Sequence, residues 1–85
     1  MRILIVEDEI RLAEALGQIM VQHKYAADVV YDGESGLAYA SSGLYDVILL
    51  DVMLPRMSGL EVVRRMRREG NATPVLMLTA RDETT

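Results

Sequence analysis

Three carboxylates stand at the ends of two apolar runs in this sequence. Glu7 and Asp8 follow Ile3-Leu4-Ile5-Val6, and Asp51 follows Val47-Ile48-Leu49-Leu50. A short continuous apolar run is the pattern of a strand buried on both faces, which belongs in a parallel sheet. Ligands of such sheets bind beyond the carboxyl ends of the strands, where the strand order reverses. If the two runs are neighbours, all three acids meet there. Gathered like charges either raise their pKa values or attract a cation, and an all-oxygen donor set suits a hard divalent ion such as Mg²⁺ or Mn²⁺. A carboxylate beside such an ion can take a phosphoryl group as an acyl phosphate, and Asp51 is placed to be that nucleophile. Thr79, past the run Val75-Leu76-Met77-Leu78, would offer a hydroxyl on the same rim.

The segments between these runs must carry the acids into place. Leu12, Leu16, Ile19 and Met20 recur at helical spacing, with Arg11, Glu14, Gln18 and Gln22 between them, predicting an amphipathic helix that ends near His23. Ala26 to Tyr31 reads as a second strand. Asp32 is suited to cap a short helix starting near Gly33, which Ser41-Ser42-Gly43 ends. Asp46 to Leu50 forms the third strand, and Met53-Leu54-Pro55-Arg56-Met57 a loop. Ser58-Gly59-Leu60-Glu61 has capping-box spacing before a helix with an apolar stripe of Leu60, Val63 and Met66. Gly59 would let that helix approach the backbone near the acids. Pro74 opens a fourth strand, Val75 to Leu78, and the remainder is polar. The order βαβαβαβ, with right-handed crossovers, predicts a three-layer α/β sandwich on a parallel sheet.

Composition narrows the field. Eighty-five residues make one small domain, 1–85, too short for a receptor or a two-domain enzyme. A net charge of −4 gives no positive field for nucleic acid or an anionic membrane. With 51% hydrophobic residues, no Cys, Trp or Phe, and 6 Met, the core must come from aliphatic residues, Ala and Met, without disulfides. No apolar run approaches the ~18 residues of a membrane span, and no signal-peptide pattern opens the chain, so the expected location is cytoplasmic. Arg64, Arg65, Arg67 and Arg68 lie among Glu61 and Glu69 without aromatic residues, which fits a solvated helix face better than a nucleic-acid surface. His23 suits a helix C-terminus as a dipole partner.

Four pieces together resemble the receiver domain of bacterial two-component response regulators. They are Ile3-Leu4-Ile5-Val6-Glu7-Asp8-Glu9, Asp46-Val47-Ile48-Leu49-Leu50-Asp51-Val52-Met53-Leu54-Pro55, Ser58-Gly59 and Pro74-Val75-Leu76-Met77-Leu78-Thr79-Ala80. The Glu-Asp pair and the Met-Leu-Pro loop look most like the OmpR/PhoB subfamily, whose members join a receiver to a winged-helix DNA-binding domain. The resemblance implies a flavodoxin-like fold with strand order 2-1-3-4. It makes Asp51 the phosphoacceptor, Asp8 and Asp51 direct Mg²⁺ ligands, Glu7 a ligand through water, the Met53 backbone carbonyl a further ligand, and Thr79 the switch hydroxyl. It implies a histidine kinase as phosphodonor and transcription control as the parent's task.

A complete receiver runs to about 120 residues, an ordinary domain size. The chain therefore reads as a truncated receiver lacking the fourth helix, the fifth strand, the fifth helix and the family's Lys at the end of the fifth strand. Loss of the fifth strand would leave the fourth as an open apolar edge, so a homodimer or higher oligomer through that edge, or by segment exchange, is expected. Two other functions stay open. One is a receiver fragment that acts only as an interaction module. The other is an aspartate-nucleophile phosphatase, disfavoured because such enzymes resemble one another in a second Asp two residues past the nucleophile, where this chain has Met53.

Overall fold

A computed structural model describes residues 1–78. Its elements are β1 (Arg2–Val6), α1 (Ile10–Gln22), β2 (Ala26–Val30), α2 (Gly33–Ala40), β3 (Val47–Leu50), α3 (Gly59–Arg68) and β4 (Val75–Met77). The four strands form one parallel sheet in the order β2-β1-β3-β4, as expected. Register pairs Val6 with Val30 on one side and with Leu50 on the other, so β1, β2 and β3 end level.

Alternate residues of the central strands serve two cores, the consequence of a side-chain period of two. Leu4, Val6, Ile48 and Leu50 face α2 and α3, where they pack with Val30, Ala40, Tyr45, Val62 and Met66. Ile3, Ile5 and Leu49 face the other way, with Leu16 and Met20 of α1 packed against them. Each large aliphatic side chain so buried contributes about 1.5–3 kcal/mol. The layers are helix, sheet, helix.

Both helical stripes differ in detail from the sequence reading. Leu12 and Ile19 of α1 are 46% and 44% exposed, whereas Ala13 is fully buried. The helix packs over β1 and β2 with Ala13, Leu16 and Met20 toward the sheet, and Leu12 and Ile19 fall on a flank the sheet does not cover. In α3 the buried set is Gly59, Val62 and Met66, and Leu60 is 57% exposed. The reason is the docking of Gly59 on the backbone at Asp51, which sets the rotation of the helix. Ser58 caps α3 by accepting from the Glu61 N–H at 3.2 Å. The Glu61 carboxylate does not return to the cap but accepts from Arg64 at 2.6 Å and Arg65 at 3.0 Å. Among the described residues, no helix is long and apolar enough to cross a membrane.

Candidate functional site

β1 and β3 are neighbours with Val6 opposite Leu50, so the residues that follow, Glu7 and Asp51, emerge side by side. The sheet extends one bond further into each. The Asp51 N–H donates to the Val6 carbonyl at 3.0 Å, and the Glu7 N–H donates to the Val30 carbonyl at 3.1 Å. Glu7, Asp8 and Asp51 each bring a carboxylate oxygen to within 4.8 Å of the others. Glu7 is 4% and Asp51 8% exposed, while Asp8 faces solvent.

Holding three acids together is costly unless positive charge is supplied. Burial raises the pKa of Glu7, and the charges of Asp51 and Asp8 raise it further, against the opposing pull of the Glu9 N–H. That N–H donates to the Glu7 carboxylate at 3.0 Å and fixes its orientation. The next acid, Glu9, is already employed: its side chain caps α1 by accepting from the Leu12 N–H at 3.0 Å. Three converging hard oxygens, two of them removed from water, are a donor set that fits Mg²⁺ or Mn²⁺.

The segment from Val52 to Ser58 leads from Asp51 into α3. The Gly59 N–H donates to the Val52 carbonyl at 2.8 Å, and a Cβ on Gly59 would run into the carbonyl oxygen of Asp51. A glycine there lets the first turn of α3 lie directly on the backbone at Asp51, as its position in the sequence suggests. Met53 lies on this segment and is 70% exposed. Arg56, at φ 71, is a non-glycine residue in the left-handed region, a mark of a loop held from outside. Thr79 lies outside the described residues.

The other basic and titratable residues take structural places. Lys24 is the sole lysine, and it sits before β2 at φ 70, at the opposite end of the sheet from the acids. His23 ends α1, its backbone N–H donating to the carbonyls of Ile19 and Met20. Arg67 donates to the carbonyls of Asn71 and Thr73 at 2.8 and 2.9 Å, closing the turn after α3. Sequence reasoning missed one contributor to the site's frame. Gly33, at the start of α2, donates its N–H to the Pro55 carbonyl at 3.1 Å. No local pattern announces a contact between segments so far apart in the chain.

Comparisons with known proteins identify the family and the fold. The family model for the response regulator receiver domain matches residues 3–85. The transcriptional regulatory protein DltR of Streptococcus agalactiae is 48% identical over 84 residues, which cover 99% of this chain and 38% of that protein. The response regulator ArlR of Staphylococcus aureus is 45% identical over 83 residues, covering 98% and 37%. The chain thus spans less than two-fifths of these OmpR-family regulators, in their N-terminal part. Among solved structures, the receiver domain of the Francisella response regulator 1452 superposes with a TM-score of 0.90 at 28% identity, covering 98% of this chain and 69% of that one. The Thermotoga maritima response regulator TrrA, solved with Mg²⁺ and BeF, gives a TM-score of 0.78 at 34% identity, covering 89% and 64%.

Proposed function

The chain belongs to the response regulator receiver domain family, and from that premise we propose that it accepts a phosphoryl group on Asp51 in two-component signalling. The observation that carries the reading is the meeting of Glu7, Asp8 and Asp51 within 4.8 Å at the ends of two adjacent strands. A carboxylate oxygen of Asp51 attacks the phosphorus of a phosphohistidine on a histidine kinase, the P–N bond breaks, and the imidazole leaves with the electron pair and takes up a proton. The product on this chain is an acyl phosphate. Asp8, Asp51 and the Met53 backbone carbonyl would hold Mg²⁺ or Mn²⁺ directly and Glu7 through water. Bound there, the ion would offset the charge of the transferred oxygens.

The chain's own residues do the rest. The hydrogen bond from Asp51 to β1 fixes the nucleophile, and Gly59 brings α3 against it. Thr79 serves as the switch hydroxyl in this reading. The phosphatase alternative gains nothing from the geometry, because the position of its general acid is Met53, which holds no transferable proton. The relatives are transcriptional regulators, and by analogy the parent of this chain would act in the cytoplasm on transcription through a further domain. Self-association through β4 belongs to the same proposal, since Leu76 and Met77 are 60% and 38% exposed and no strand pairs with the outer side of β4 among the described residues.

Acetyl phosphate with Mg²⁺ tests the central claim. Mass spectrometry should show one added phosphoryl group on the wild type and none on Asp51→Asn. Equal labelling of both proteins would overturn the assignment of Asp51.

A further inference from the structure

α2 contributes no residue to the acidic cluster, yet it is wedged against the segment that follows Asp51. A Cβ on Gly33 would run into the Met57 carbonyl oxygen and lie 2.7 Å from the Met57 carbonyl carbon and 2.8 Å from its Cβ. Backbone atoms cannot swing aside as a side-chain tip can, so any larger residue must push α2 and the loop apart. The same glycine donates its N–H to the Pro55 carbonyl at 3.1 Å. The Met57 N–H returns to that Pro55 carbonyl at 2.8 Å, tightening the turn around Arg56. The same end of α2 is capped by Asp32, which accepts from the Ser35 N–H at 2.9 Å and the Ser35 hydroxyl at 2.7 Å and fixes the first turn that carries Gly33. The Arg56–Glu34 pair at 3.4 Å also spans the two elements, but both side chains are well exposed and it adds little.

The loop is therefore held at two points. Gly59 ties its far end to Val52, and Gly33 ties its middle to α2. With Arg56 in the left-handed region, the loop's shape depends on these outside contacts. We propose that Gly33 is a positioning residue for the cation site: by clamping the Pro55–Met57 turn it sets the segment carrying Met53 against Glu7, Asp8 and Asp51. This rests on the metal reading above. Residues that orient metal ligands from outside change affinity by about 10- to 100-fold when lost, and Gly33→Ala is expected in that range.

Mn²⁺ titration of wild type, Gly33→Ala, Ala40→Gly and Asp8→Asn, with thermal midpoints recorded for each, tests the inference. Ala40→Gly weakens the same helix at its other end, through lower helix propensity and the loss of a buried methyl, without touching the loop, and it controls for simple destabilisation. The expected result is a loss of Mn²⁺ affinity in Gly33→Ala and none in Ala40→Gly. Wild-type affinity in a folded Gly33→Ala would overturn the positioning role while leaving the metal reading intact. Binding by wild type and Asp8→Asn alike would overturn the metal reading, and the positioning role with it.

A second measurement needs no variant. If the Gly33 contact favours the binding form of the loop, linkage requires the bound ion to favour the contact equally. Amide exchange at Gly33 should therefore slow on saturation with Mg²⁺, relative to the Gly36 amide, which bonds to Asp32 within its own helical turn. Unchanged exchange at Gly33 in the Mg²⁺-bound protein would refute the proposal even if Gly33→Ala does not fold.

Discussion

The acids at the carboxyl end of the sheet and those toward its amino end are treated in opposite ways. At the carboxyl end, Glu7, Asp8 and Asp51 are pressed together, and burial and mutual repulsion raise the pKa of Glu7. Toward the amino end, each acid has a donor. Asp28 accepts a 2.6 Å hydrogen bond from the Tyr45 hydroxyl, and Asp46 accepts from the Arg2 N–H at 2.8 Å. Tyr45 is itself buried and packs in the core shared by α2 and α3. One end spends its carboxylates on stability, and the other gathers three of them where burial and mutual repulsion work against the charge of Glu7. Local cost at a site that the rest of the fold enforces is how strain and charge become function.

The largest effect expected from breaking this contrast is on metal binding. Asp8→Asn removes a direct ligand and should weaken Mn²⁺ by at least about a hundredfold, the upper range for merely orienting residues. The metal-free variant should unfold at a higher temperature than wild type, because one of three like charges is gone. Loss of binding with a lowered midpoint would show that the cluster is not repulsive, and the contrast between the two ends would fail.

Next in size is the amino-end pair. Tyr45→Phe leaves the half-buried Asp28 carboxylate without its donor and should cost about 1.5–3 kcal/mol in chemical denaturation, with Mn²⁺ affinity unchanged. The pair also has a pH signature. Burial, followed by the bond to Asp28 and its charge, raises the Tyr45 pKa from 10.0 to about 12. The stabilisation is complete below pH ~10, where the phenol is neutral in folded and unfolded chains alike. As pH rises toward 12, the unfolded phenol ionises first and stability is lost. Tyr45→Phe should lack this decline, and ultraviolet difference titration should show wild type ionising one tyrosine near pH 12 only as it unfolds. A normal titration of every tyrosine in the folded protein would remove the pair from the account.

The smallest effect on folding concerns the edge along which both ends of β4 lie. Leu76→Lys alters a surface position, so stability should change by no more than about 0.5 kcal/mol. Sedimentation over a concentration series should nonetheless shift from self-associating wild type to a monomeric variant. A wild type that stays monomeric at high concentration would confine the protein's exposed apolar surface to some other use.

Much of the fold was legible in the residues. The runs Ile3–Val6 and Val47–Leu50 announce doubly buried strands, and Asp32 and Ser58 announce helix starts that the structure keeps. The acids of the candidate site were legible for the same reason, since each directly follows such a run. Leu60 belongs to the apolar stripe of the sequence yet is exposed, because apolar spacing alone cannot choose between two faces that differ by one residue. Gly59 against Asp51 makes that choice and buries Val62 in its place. Leu12 and Ile19 are exposed for a like reason, because which part of the apolar stripe of α1 is covered depends on the strands beneath it.

Sequence by itself determined what is local: the periods of strand and helix, the caps, the residue types at the strand ends, and thereby the chemistry available there. Tertiary structure alone decided which distant groups meet. It set Gly33 under the Pro55–Met57 turn, joined Tyr45 to Asp28, and put Glu7 and Asp8 within reach of Asp51. The physical reason is that a one-dimensional pattern records each residue's preference for burial and backbone conformation. Contacts between segments depend on how whole elements pack, and a sheet that pairs β1 with β3 brings together charges that no local preference would have joined.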